Sequence, residues 1–444
     1  MIIPRKWEGN SALGIVGLYA LLVLYGLIYN YFYSDLLTPL IHDNLTAYDY
    51  SKSSVYTIIA FVTPLALLPM GTRLRAPGQF IAASFAVFLF IPIPIVFAAM
   101  VGEPEFWRIY ALLWLGFLAV CTFSSLCVKM PLPDLSERTF KIIVLATCVL
   151  LAFGLLYILS TNRFSIVGID KAHEERTTVT VTGLQGYLLV GYATSYGGLM
   201  AGIAMMYRKY WALPIALAGF VICYGTLEVR NDAFLPLWIG YIYLAHKWFY
   251  RDSVIRLLLT LMAPFLVGLL MIAIAGDVSR TSFIYDAFTL ANYRLYSIPA
   301  IGFNAYFKFF SIHPLTYWSH INIIGAFVSN PYGQPLATVM DEAYHLGSYN
   351  GSFLETDALA AAGVDVLPFI CLLFGLILLG INSCMRGLNV TLLAIVMAGS
   401  SIGLTETGIG PGLVTNGVGI LALFMLLVPR GAAWNQRRLD LRSS

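Results

Sequence analysis

Five groups able to move a proton, Asp341, Glu342, His345, Glu355 and Asp357, fall within the 17 residues 341–357, directly before a long apolar run. A histidine with an ordinary pKa of about 6.5 suits proton removal at neutral pH, which makes His345 the leading candidate base and Glu355 the second. If 355–357 is helical, Glu355 and Asp357 point to roughly opposite sides, so at most one faces a shared cavity. Asp357 also suits the start of a helix, where cap and dipole favour a carboxylate, and it is read as structural. His313 and His320 sit beside aromatics and read as structural too. Glu406, in GLTETGIGPG, has no obvious neighbour in the sequence to pair with.

Arginines supply a second kind of chemistry. Arg230 lies in GTLEVRNDAF between two apolar runs, Arg280 and Arg294 lie in the long segment 277–362, and Arg176 lies in the stretch KAHEERTTVTVTGLQG. A guanidinium offers a planar fork that fits phosphate oxygens, so two or three of these four residues form a candidate clamp for a pyrophosphate. The plain alternative for Arg230 is a short hairpin whose charges meet water, and for Arg176 a solvated loop charge.

These residues must be held by lipid-embedded helices. With 59% hydrophobic and 11% charged residues in 444, the chain lacks the polar surface a soluble protein needs. Apolar runs near 11–33, 53–70, 80–100, 109–128, 142–160, 187–206, 212–228, 232–246, 254–276, 363–383, 388–407 and 411–429 predict about twelve transmembrane helices. Most of the 26 basic residues then fall on the side of the N-terminus, which predicts both termini in the cytoplasm. The six cysteines lie in or beside spans with no metal-type spacing, so neither an outer disulfide nor a metal site is expected. Residues 1–10 are too short for a cleaved leader. The expectation is an all-α, polytopic helical membrane protein, a single integral membrane domain over 1–444, with one large periplasmic helical segment at 277–362. That segment holds 17 aromatic residues in 86, against 14% over the chain, and reads as short helices with a break at Asn330, Pro331, Gly333 and Pro335. Its rings suit either the lipid–water interface or the apolar faces of sugars. Topology explains the basic residues, so nucleic acid is not expected as a partner.

Three stretches resemble the Wzy-type O-antigen polymerases: NYRLYSIPAIGFNAYFKFF at 292–310, SYNGSFLETDALAAAG at 348–363 and YGTLEVRNDAFLPLWIGYIYLAHKWFYR at 224–251. The second departs from the family's pattern after Gly363, where Val364, Asp365 and Val366 follow. The resemblance implies a GT-C-like glycosyltransferase of the bacterial inner membrane that joins undecaprenyl-pyrophosphate-linked glycans at the periplasmic face, without a cofactor. It also implies membrane lipid and a Wzz-type chain-length regulator as partners. In that setting the arginines stabilise the pyrophosphate leaving group, the groups at 341–357 supply the base, and Asn350 orients a sugar hydroxyl. The nearest rival is an O-antigen ligase, which uses the same donor. A rival from another class is a transporter of lipid-linked sugars or small solutes, against which stand the absence of an internal repeat and the clustering of charge at one boundary.

Overall fold

The computed structural model describes residues 2–3, 12–38, 48–131, 133, 135–166, 183–227, 229–275, 291–345, 349 and 351–429. Nine helices among the described residues are long and apolar enough to cross a membrane: Ala12–Leu37, Tyr50–Met70, Pro77–Phe97, Glu103–Ser124, Glu137–Thr161, Gly183–Met205, Tyr210–Leu227, Val254–Ile274 and Val364–Cys384. The chain is therefore a helical, multi-pass membrane protein. The remaining expected spans take other forms. Arg230–Ala245 continues through the π turn His246–Tyr250. Val390–Thr405 is a short apolar helix. The run 411–429 is split between Ile409–Val414 and Val418–Leu426. Strands among the described residues are confined to Ile2–Ile3, paired antiparallel with Cys127–Val128. "Lower" below means the side of that pairing, and "upper" the opposite side.

Pro77–Phe97 is the hub, buried along its whole length, whereas Glu137–Thr161 is peripheral and buries only Phe140, Leu155 and Ile158. Close packing within a bilayer relies on small residues and polar bridges rather than on the hydrophobic effect. Gly116 lies where an added Cβ would come 2.6 Å from the Cys371 sulfur, which lets Glu103–Ser124 approach Val364–Cys384. At the lower end Asn382 ties two other segments to its own: its Nδ2 donates to the carbonyls of Ser124 and Leu126, both at 2.8 Å, and its Oδ1 accepts from Gly78 N–H at 2.7 Å. Backbone groups freed inside a membrane must find partners, and the split near residue 416 does so with hydroxyls. The Asn416 carbonyl accepts from Thr194 Oγ1 at 2.8 Å and from Ser195 Oγ at 2.5 Å, and Gly417 turns the chain at φ +72°.

The described part of 277–362 is threaded into this bundle. Helix Ile298–Phe310, preceded by the π turn Tyr293–Ser297, is slanted through it. Its start lies beside Val254–Ile274: Asn292 Nδ2 donates to the Phe265 carbonyl at 3.3 Å, and Tyr296 OH to that of Leu261 at 2.9 Å. Its later turns reach the upper end of Pro77–Phe97, where Asn304 Nδ2 donates to Val96 O at 3.3 Å and Phe303 meets Phe97 edge to face. Every residue from Ile298 to Tyr306 is buried.

A second piece re-enters more steeply. Phe353 stacks on Phe85 and on Phe374, at centroid distances of 5.7 and 4.6 Å, near the middle of the two spans that carry them. From there Leu354–Ala360 climbs back up in π-helical form, and Gly363, at φ +87°, reverses the chain into the next span. That backbone region favours glycine because it lacks a Cβ.

Candidate functional site

The re-entrant helix carries both carboxylates singled out from the sequence, and they diverge. Glu355 is fully buried. It accepts from Tyr349 OH at 3.2 Å and, through its other oxygen, from Ser352 Oγ. Ser352 Oγ in turn accepts from Leu354 N–H at 3.2 Å, so one hydroxyl meets both an open backbone donor at the start of the helix and the Glu355 carboxylate. Burial pushes the Glu355 carboxyl up to about 7 against the hydrogen bonds that favour its charge. Tyr349 packs against Gly302 of the slanted helix. Burial and then the nearby charges of Glu355 and Glu406 hold its phenol protonated well above the usual range. The outcome is a carboxyl poised near neutrality, with a neutral phenol donor beside it.

Asp357 faces another way. Its Oδ2 accepts from Ile409 N–H at 2.6 Å, tying the re-entrant helix to the first residue of Ile409–Val414, and its Oδ1 lies 3.8 Å from His320 Nε2. The sequence reading has Asp357 at the start of its own helix, whereas this contact ties it to a neighbouring one. Asp357→Ala leaves that half-buried N–H without its partner, which costs about 1 kcal/mol. Its expected result is a lowered melting temperature in detergent and a reduced membrane level; a variant melting like the unsubstituted protein would contradict the role.

His345 is exposed at the end of helix Leu336–Tyr344, in the left-handed region at φ 53°. It is outside the buried cluster that holds Glu355. Arg294 is exposed on the same π turn whose Asn292 and Tyr296 sides are buried against Val254–Ile274. Arg230 opens helix Arg230–Ala245, but its side chain is outside the described residues, as are Arg176, Arg280 and Asn350 altogether. The expected convergence of Arg230 and Arg294 on one cavity therefore falls outside the description. Glu406 follows Val390–Thr405, half-buried and close enough to Tyr349 to act on its phenol.

Two participants escape the sequence reading. Ser352 is announced by the Ser-x-x-Glu spacing ahead of an apolar run, a signal present in the chain. Tyr349 has no such signal, because its partner Gly302 lies 47 residues earlier. No group of three or more His, Cys, Asp and Glu side chains able to hold a metal occurs among the described residues. No family model, no curated protein and no solved structure matches this chain.

Proposed function

We propose that this protein is a GT-C-like membrane glycosyltransferase that polymerises undecaprenyl-pyrophosphate-linked oligosaccharide repeat units, as O-antigen or a related polysaccharide, at the periplasmic face of the bacterial inner membrane. The observation that carries the reading is Glu355: a carboxyl buried on a re-entrant helix, pushed up to about 7, with hydroxyl donors on both oxygens. A buried carboxyl with a near-neutral pKa suits general-base work. In the reaction the acceptor hydroxyl gives its proton to Glu355 as its oxygen bonds the anomeric carbon of the donor. The bond from that carbon to the pyrophosphate oxygen breaks, and the pyrophosphate leaves with the electron pair. Glu355 thus takes the place that pKa alone gave to His345.

Arg294 supports the leaving-group half. The turn that bears it is level with Phe265, about 14 Å below the upper end of its span at 1.5 Å per residue. A guanidinium at that depth is costly against hydrocarbon, so the reading has this exposed side chain paired with the phosphate. Arg294→Lys keeps the charge and loses the fork, and is expected to slow polymerisation about tenfold. A fully active Lys variant at normal membrane level would remove the clamp. Membrane lipid and a Wzz-type regulator are the partners that go with this reading.

One observation favours a transporter as a second reading. The split between Ile409–Val414 and Val418–Leu426, with hydroxyls on its open carbonyl, is the kind of discontinuous helix transporters use. A deletion strain separates the readings. Single capped repeat units on lipid A identify a polymerase, unattached lipid-linked polymer a ligase, and repeat units retained on the cytoplasmic side a flippase.

A further inference from the structure

We propose that His320 is a positioning residue: through Asp357 it fixes the re-entrant helix that carries Glu355, and the turn 316–320 is a clasp whose release uncovers that carboxylate. The functional consequence rests on Glu355 being the base; the clasp itself does not.

The turn is strained. Tyr317 and Trp318, neither a glycine, both lie in the left-handed region, at φ 48° and 59°. Such a conformation persists only where its surroundings impose it. Here the re-entrant helix does so. Thr316 N–H donates to Ala360 O at 2.8 Å, Thr316 Oγ1 to the same carbonyl at 3.1 Å, and Tyr317 N–H to Ala361 O at 3.1 Å. These bonds occupy carbonyls at the helix's upper end, which its own backbone leaves open.

The strained turn delivers His320. Its side chain is only 10% exposed, its Nδ1 lies 3.3 Å from Thr316 Oγ1, and its Nε2 has no hydrogen-bond partner while lying 3.8 Å from Asp357 Oδ1. That distance is about 1 Å longer than a hydrogen bond, so a small shift of either residue would make or break the contact. On its far side Asp357 is wedged. A Cβ added at Gly408 would come 2.6 Å from both Asp357 Oδ2 and Thr356 Oγ1. One residue of the re-entrant helix is thus held from two directions, by segments that meet nowhere near it in sequence. Because Glu355 is fully buried, an acceptor hydroxyl reaches it only if this helix shifts, and the grip on Asp357 is what governs that shift.

The test reads the helix directly. Ala358, buried on the same helix, is replaced by cysteine, and labelling by a membrane-impermeant maleimide is timed in the purified full chain. The unsubstituted chain corrects for the six native cysteines, and Ala361→Cys serves as a second reporter. His320→Ala and Gly408→Ala are each expected to speed labelling about tenfold or more. His320→Gln, whose side-chain amide can donate to Asp357, is expected to restore most of the protection. Unchanged labelling in folded His320→Ala at both reporters overturns the clasp, whatever the activity. In parallel, His320→Ala should lower kcat about tenfold with KM unchanged, and a wild-type kcat overturns the positioning role. Glu355→Gln is assayed beside them. If it polymerises normally while His320→Ala labels faster, the base assignment falls and the clasp stands.

Discussion

Glu355→Gln should reach the membrane at normal level and extend chains about 10²–10⁴ times more slowly, the usual worth of a general base. Glutamine keeps the volume, accepts from one of the two hydroxyls, those of Ser352 and Tyr349, through its carbonyl oxygen and donates its amide to the other, but it takes no proton. The readout is the polysaccharide ladder, which collapses to single repeat units. The pH dependence has a definite sign. The working form is ionised and burial places the carboxyl at about 7, so the rate rises with pH through about 7 and is lost below it. A level profile between about pH 5 and 8 would assign proton removal to another group. Stability runs the other way. A carboxyl whose folded pKa is raised above the ordinary 4.5 stabilises the fold fully at low pH, and that contribution is lost as pH rises toward about 7. Glu355→Gln should therefore melt no lower than the unsubstituted protein at pH above about 7, although it is inactive. A residue serving only as a helix cap would show the reverse, lost stability with retained turnover.

Gly302→Ala should cost about 10–100-fold in polymerisation without touching an ionisable group. The added methyl would lie 2.2 Å from Tyr349 Cε1, so the ring must move, and its hydroxyl then leaves Glu355. Overpacking of this kind also costs about 1–3 kcal/mol of stability. Gly240→Ala is the control: nothing lies within 4 Å of its added methyl, and alanine favours the helix it sits in. Expected is a silent Gly240 variant beside an impaired Gly302 variant. Equal activity of the two would detach Tyr349 from the chemistry.

Much of the scaffold was legible because hydropathy reads burial in lipid directly. The runs near 11–33, 80–100 and 254–276 have their counterparts in Ala12–Leu37, Pro77–Phe97 and Val254–Ile274. The split near Asn416 was not legible. The hydroxyls of Thr194 and Ser195 that make it tolerable come from more than two hundred residues away, and hydropathy scores 411–429 as one run. The packing of the described part of 277–362 was not legible for a similar reason. Aromatic residues suit an interface, but they equally suit the interior, where Phe353 stacks on Phe85 and Phe374. At the site, the opposed directions of Glu355 and Asp357 followed from helical periodicity alone. Ranking His345 above Glu355 rested on ordinary pKa values, whereas the proposal that puts Glu355 first rests on burial, a property of the fold. The turn at 316–320 had no signature, since its strain is imposed by Ala360 and Ala361.

The mutual stacking of Phe353, Phe85 and Phe374 also sets an order of assembly. Phe85 emerges from the ribosome with the third span, and Phe374 only with the last quarter of the chain. Until Phe374 arrives, Glu355 has no floor beneath it, so earlier spans wait in the translocation machinery or the bilayer around an unfilled groove. Nascent chains released before about residue 384 therefore lack the packing that holds the carboxylate, however many helices they have inserted. For the same reason, two separately expressed fragments divided within 346–348 put both halves of that stack on different polypeptides, and the buried acid forms only when they meet.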